Sequence, residues 1–114
     1  MTIKTRVTTA LENTGIPVFF GAWKPTTEAE EPPDIYLVFT TVTRPNRYAD
    51  NVRKGWRHYI YLNLWAKVPY SSQKDSVISA MEIAGFSIID IEDRLEEETG
   101  MNLCALSCFF LEAV

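Results

Sequence analysis

The side chains that could catalyse a reaction are few, and they form no recognisable catalytic motif. His58 is the single histidine among 114 residues, and it follows Arg57 at the start of a strand-like run. A histidine there is more often a partly exposed sheet residue than a base, because serine-histidine catalysis needs a nucleophile held by that base. No segment around Ser71, Ser72 or Ser107 resembles a nucleophile elbow. We therefore expect this chain not to be an enzyme.

Metal and cofactor sites are equally unsupported. One histidine with Cys104 and Cys108 does not supply the roughly four ligands that zinc requires. The acidic runs at 28–31 and 90–98 lack the ligand spacing of a calcium loop, and the glycines form no phosphate-binding loop. On a strand the two cysteines would lie roughly 13 Å apart, too far for a disulfide. We expect no metal or cofactor and two buried, reduced thiols.

The most informative segment is the long loop 43–56, which joins two strand patterns at 34–42 and 57–66. Most hairpin loops have about two to five residues, and longer ones are usually functional or disordered. Arginine and aromatic side chains, which occur here, are characteristic of protein contact sites. We predict a projecting arm that contacts a partner. The predicted contact residues are Arg44, Arg47, Tyr48, Arg53, Lys54, Trp56, Arg57, Tyr59, Tyr61 and Trp65.

The strand pattern at 57–66 has two different faces. Side chains alternate along a strand, so one face is aliphatic and should lie on the helices. The other carries Tyr59, Tyr61, Asn63 and Trp65. Water, a second sheet or a partner subunit could cover this aromatic face, and it could equally be an exposed face paired across strands with Tyr36.

The remaining elements follow from periodicity and from start and stop residues. A helix at 2–13 can be capped by Thr2, and a second helix, capped by Ser71 or Ser72, should end at Gly85. Further strands are expected at 17–23, 86–91 and 102–112, with loops at 24–33 and an acidic connection at 90–100. The predicted order is α-β-β-β-α-β-β. This order indicates one α+β domain over 1–114, in which two helices pack on one face of a mostly antiparallel sheet with a long β-hairpin arm.

Charge and hydropathy exclude some classes of function. The net charge of −4 argues against a general nucleic-acid binder, which needs a basic surface. The apolar run at 104–111 is far shorter than the ~20 residues of a membrane span, and the first residues lack the apolar core of a signal peptide. We expect a cytoplasmic protein that does not contact membranes.

The distribution of charge is more informative than its sum. Residues 44–57 are basic, whereas the segments around Glu28 and Glu96 are acidic. Opposite patches on one domain permit head-to-tail association, which closes into a ring if the rotation allows. The alternative is that these charges only keep the domain soluble.

The order of six segments carries a resemblance to a known family. The segments are Thr-Gly-Ile-Pro-Val-Phe at 14–19, Pro-Pro-Asp-Ile-Tyr-Leu-Val-Phe at 32–39, Arg-Tyr-Ala-Asp-Asn at 47–51, Tyr-Ile-Tyr-Leu-Asn-Leu-Trp-Ala at 59–66, Ala-Gly-Phe at 84–86 and Glu-Glu-Glu-Thr-Gly-Met-Asn-Leu at 96–103. In these features the chain resembles the tail-completion or tail-terminator proteins, the head-tail joining proteins of long-tailed bacteriophages and prophages.

The resemblance implies a structural virion protein. Such proteins look like α+β domains that form a ring, usually of six subunits, which ends the tail tube and joins it to the head connector or stopper protein. DNA would pass through the ring without stable binding, and the protein would move from the host cytoplasm into the virion. One alternative is a small binding module that contacts nucleic acid or another protein through loop 43–56, with Tyr48 and Trp56 as stacking platforms. A compact hydrolase using His58 is another.

Overall fold

The computed structural model describes residues 2–23, 31–45, 48–49, 52–53, 55–98 and 100–113, with only the backbone at 48–49 and 52–53. The helices are α1 (Ile3–Glu12) and α2 (Ser71–Ile83). The strands are β1 (Val18–Phe20), β2 (Ile35–Pro45), β3 (Tyr48–Ala49), β4 (Val52–Arg53), β5 (Gly55–Ala66), β6 (Ser87–Glu96) and β7 (Met101–Ala113).

Five strands form one sheet in the order β1-β2-β5-β7-β6. Only β1 runs parallel to its neighbour, and the other three pairings are antiparallel. Strands β3 and β4 pair with each other in a separate two-stranded ribbon. The predicted α+β class, the mostly antiparallel sheet and the element order are confirmed.

Both helices pack on the same face of this sheet, which we call the helix face. Val7 and Leu11 of α1 and Val77 and Met81 of α2 are fully buried, because apolar residues three or four positions apart share one side of a helix. They meet alternate side chains of the three central strands. These strand residues are Leu37, Phe39, Ile60, Leu62, Leu64, Cys104, Leu106 and Cys108.

Helix termini agree with the sequence at three of four positions. The Thr2 hydroxyl caps α1 by accepting a hydrogen bond from the Thr5 amide, and Gly15 and Gly85 follow the two helices with positive φ. The predicted serine cap of α2 is wrong. Ser71 is already the first helical residue, and Tyr70 occupies the cap position without a side-chain bond to the helix.

Several strands are longer than their sequence patterns. Strands β2 and β5 remain paired as far as Pro45 opposite Trp56, so the ladder extends into the segment expected to be a loop. Strand β6 continues to Glu96, which corrects the acidic connection predicted from residue 90. Charged residues are tolerated there because β6 lies at the edge of the sheet, where side chains reach water.

Candidate contact surface on the open face of the sheet

Among the described residues, no helix lies against the sheet face opposite α1 and α2, which we call the open face. Strand pairing sets its side chains in rows across β2, β5 and β7. The rows, read in that strand order, are Arg44-Arg57-Leu111, Val42-Tyr59-Phe109, Thr40-Tyr61-Ser107, Val38-Asn63-Ala105 and Tyr36-Trp65-Leu103. The predicted separation of aliphatic and aromatic faces on β5 is therefore confirmed.

Aromatic and aliphatic groups occupy the middle of the open face. The rings of Tyr59 and Phe109 lie with centroids 5.5 Å apart, so cross-strand pairing accounts for part of this surface. Tyr61 is nevertheless 45% exposed, and Leu111, which lies toward the Arg57 end of the same face, is 52% exposed. Because burying such side chains is favourable, this region is suited to protein contact.

One end of the open face is covered by residues of the same chain. Tyr36, Val38 and Met101 are buried there, and Phe19, Trp23 and Trp65 pack against them. Tyr36 stands directly opposite Trp65. The pKa of the Tyr36 hydroxyl is raised, first by burial and then by the negative charge of Glu96 on the acidic edge strand.

The other end of the open face is basic. Arg44 and Arg57 are directly opposite each other on β2 and β5, an arrangement in which like charges repel. Neither arginine has an ion pair within the part of the chain that the structure describes. The Arg57 Nε atom is buried without a hydrogen-bond acceptor among the same residues. This corner would be stabilised by an acidic partner.

Strand β6, at one lateral edge of the sheet, makes that border of the open face acidic. Asp90, Glu92 and Glu96 pair with β7 residues of the open face, and Arg94 lies among them with its Nε 3.4 Å from a Glu92 carboxylate oxygen. A pocket of about 610 Å³ opens here. Its lining residues are Asn63, Trp65, Arg94, Leu95, Glu96, Glu97, Glu98 and Leu103.

The predicted contact residues are brought together only in part. Arg44, Arg57, Tyr59, Tyr61 and Trp65 all lie on the open face by their positions in the ladder. Trp56 has the opposite orientation along β5 and stands between Pro45 and Glu112. For Tyr48 and Arg53 the structure gives only the backbone pairing of the ribbon, and Arg47 and Lys54 lie outside the described residues.

The expectation that His58 is partly exposed is wrong. His58 is 6% exposed because it shares the orientation of Ile60 on the helix face. Its Nδ1 is 2.8 Å from the Thr43 hydroxyl, and its Nε2 is 3.6 Å from a Glu112 carboxylate oxygen. The surroundings of His58 hold it in place at the end of the core, and no serine or cysteine nucleophile contacts it among the described residues.

A polar cluster that the sequence did not reveal joins α2 to β6. The Tyr70 hydroxyl and the Lys74 ammonium donate to the two Asp93 oxygens at 2.7 and 2.8 Å. The hydrogen bond from Lys74, followed by that from Tyr70, lowers the pKa of Asp93, and the bond to Asp93 raises the pKa of Tyr70 to about 12. Tyr70 lies 23 positions and Lys74 lies 19 positions before Asp93 in the chain, so no local sequence pattern could connect them.

The described residues contain neither a metal-binding group of side chains nor a membrane-spanning helix. No group of three or more histidine, cysteine, aspartate or glutamate side chains there could hold a metal ion. Within the same residues, neither helix has the length and apolar character needed to cross a membrane.

Comparison with known proteins gives a structural likeness. No protein-family model matches the chain, and no curated protein matches it significantly. A chain in the solved virion of a native gene transfer agent particle superposes with a TM-score of 0.65 at 13% identity, over 98% of this chain and 95% of that one. A second solved chain reaches a TM-score of 0.52 at 14% identity, over 100% and 97% of the two chains. At these identities the likeness establishes a shared fold.

Proposed function

We propose that this chain is a structural virion protein that ends the tail tube of a long-tailed, phage-like particle and joins it to the head connector. The observation that carries the proposal is the end-to-end fold likeness to a chain of a gene transfer agent virion, which covers 98% of the protein. The order of sequence segments described above resembles the tail-terminator family and supports the same role. In this role the protein assembles as a ring in the host cytoplasm and then becomes part of the virion, without catalysing a reaction.

The open face supports a role based on contacts. A protein that works by assembly needs a surface that is incomplete until a partner covers it, and exposed apolar groups beside polar ones are typical of such surfaces. Tyr61 in the middle row and Leu111 in the Arg57 row have this character, because each is about half exposed on the open face. Their neighbours Tyr59 and Phe109 are rigid aromatic groups, which contribute strongly to binding when buried.

The proposal predicts a defect in particle assembly when the protein is removed. In the host that produces the particle, deletion should yield tail tubes of uncontrolled length and heads without attached tails, because tube growth is no longer stopped. Electron microscopy of lysates measures tube length and the joined fraction directly. Tubes of normal length joined to heads after deletion would contradict the proposal.

A single substitution connects this phenotype with the open face. Tyr61→Glu places a charge in the exposed aromatic region and should reproduce the deletion phenotype, with a native circular dichroism spectrum. Ile83→Glu is the matched control, because Ile83 is 87% exposed on α2 and lies away from the open face. Equal loss of joined particles in both variants would show that the open face is not the contact surface.

A further inference from the structure

We propose that the acidic end of the open face receives the basic end of the same face from a neighbouring copy of this chain. The inference rests on the proposed function, since it specifies the contact that would build the ring. It concerns two described regions. The basic region contains Arg44 and Arg57, and the acidic pocket is the cavity between β5, β7 and β6 that Trp65, Leu103 and Glu96 help to line.

The two regions cannot reach each other within one subunit. Arg57 and Trp65 lie on the same strand and the same face, eight residues apart. At about 3.3 Å per residue this separation is roughly 26 Å, far beyond the reach of an arginine side chain. A contact between them must therefore join two molecules. Such a contact uses different patches on its two sides, so it continues around a ring or along a filament.

The chemistry of the acidic pocket fits an arginine-rich occupant. Trp65 and Leu103 provide an aromatic and an aliphatic wall, while Glu96, Glu97 and Glu98 supply three carboxylates. A guanidinium group stacks on an indole and pairs with carboxylates in the same site, which an ammonium or an apolar side chain does less well. Arg94 is the one basic lining residue and is already 3.4 Å from Glu92.

Charge complementarity selects a second copy of this chain as the occupant. The hairpin that begins at Arg44 and returns at Arg57 carries three further basic residues in its sequence, Arg47, Arg53 and Lys54, against the single acid Asp50. The acidic pocket would repel nucleic acid, because phosphate and carboxylate are both anionic. Arg44 and Arg57, which have no ion pair among the described residues, would gain carboxylate partners in the contact.

The test reverses the sign of the charges in the basic region and in the acidic pocket, each in a separate variant. The basic-region variant is Arg44→Glu with Arg47→Glu, and the pocket variant is Glu97→Lys with Glu98→Lys, at two exposed positions just after β6. Each should weaken self-association at least about 10-fold in sedimentation velocity at 0.1 M salt. The control, Glu12→Lys with Glu82→Lys, makes the same charge change as the pocket variant, at exposed positions of the helical layer, and should associate like the wild type.

Mixing the two variants gives the decisive result. An equimolar mixture should restore association, because the two carboxylates introduced into the hairpin of the basic-region variant meet the lysine-bearing pocket of the other variant. In the second contact of the mixture, the unchanged hairpin of the pocket variant meets the unchanged acidic pocket of the basic-region variant. Failure of the mixture to associate, or unchanged association of either variant alone, overturns the inference. Binding of single-stranded DNA that is lost in the basic-region variant also overturns it, in favour of a nucleic-acid contact.

The results of this association test can be distinguished from the results of the deletion experiment that tests the proposed function. A wild-type protein that stays monomeric at every concentration overturns this contact, whereas tube length after deletion still decides the role in the tail. The converse result is that the mixed variants associate again while deletion of the protein still gives normal particles. That pair of results would support the proposed contact and refute the role in the tail.

Discussion

The two faces of the sheet are made by the same strands but differ in almost every physical respect. On the helix face, Leu62 and Leu64 of β5 are fully buried beneath α1 and α2. On the open face, Tyr61, which lies between Ile60 and Leu62 in the chain, is 45% exposed. Alternation along one strand thus separates residues that hold the subunit together from residues that remain exposed at its surface.

The largest expected loss of stability comes from truncating Leu62 on the helix face. Leu62→Ala should lower the free energy of unfolding by about 2–5 kcal/mol, since a fully buried leucine leaves a cavity when truncated. Tyr61→Ala, one residue away on the open face, should cost less than about 1 kcal/mol. Urea denaturation of both variants measures the difference. Similar losses would show that the open face also contributes to the core of the isolated subunit.

Thiol labelling compares the accessibility of the helix face and the open face without changing the core. Burial raises the pKa of the Cys104 and Cys108 thiols to about 11, so few thiolates exist at pH 8 and both groups are shielded. Ser107→Cys places a thiol on the open face between them. It should react at least about 100-fold faster with iodoacetamide, measured as one added label per intact protein by mass spectrometry. Rapid labelling of the wild type would contradict the assignment of the faces.

The smallest of the three effects concerns Asp93 and Glu92, neighbours on β6 that point to opposite faces. Asp93→Asn weakens the links to Lys74 and Tyr70 and should cost about 1 kcal/mol at pH 7. Glu92→Gln, whose side chain is 59% exposed beside Arg94, should cost less than about 0.5 kcal/mol. Thermal or urea unfolding of each variant gives these values.

The Asp93 effect should also depend on pH with a defined sign. Its pKa is lowered in the folded protein, first by Lys74 and then by Tyr70. The stabilisation is therefore fully present above the ordinary aspartate pKa of about 4 and is lost as the pH falls through the lower folded value. The difference in stability between wild type and Asp93→Asn should shrink below about pH 4. A difference that grows on acidification would contradict this assignment.

The fold was largely predictable because its main signals are local. The alternation of apolar residues from Ile60 to Ala66 identifies both faces of β5, and Thr2, Gly15 and Gly85 mark helix termini by their side-chain and backbone preferences. The serine cap of α2 could not be excluded from sequence. The cap position falls to Tyr70, whose hydroxyl bonds to Asp93, a residue 23 positions away.

The candidate surface was predictable in composition but not in arrangement. Aromatic and basic residues at 44–65 indicated a contact region, yet the opposition of Arg44 and Arg57 depends on strand register, which the sequence does not fix. The length of β6 was missed because acidic residues have low strand preference, although its pairing with β7 and its edge position permit them. His58 was misplaced because its strand begins earlier than the apolar pattern does.

The position of β7 has a consequence for the time at which the protein becomes competent to associate. Strand β7 follows β6 in the chain but lies between β6 and β5 in the sheet, so β6 joins the sheet only through β7. During synthesis, the acidic pocket cannot form until β7 has emerged from the ribosome and paired on both sides. The pairing of β7 with β5 connects distant parts of the chain and therefore forms slowly, whereas β6 and β7 are consecutive strands that pair locally. If the proposed contact builds the assembly, a nascent subunit would present its basic hairpin before it could accept one, and this order would limit premature growth of assemblies on incomplete chains.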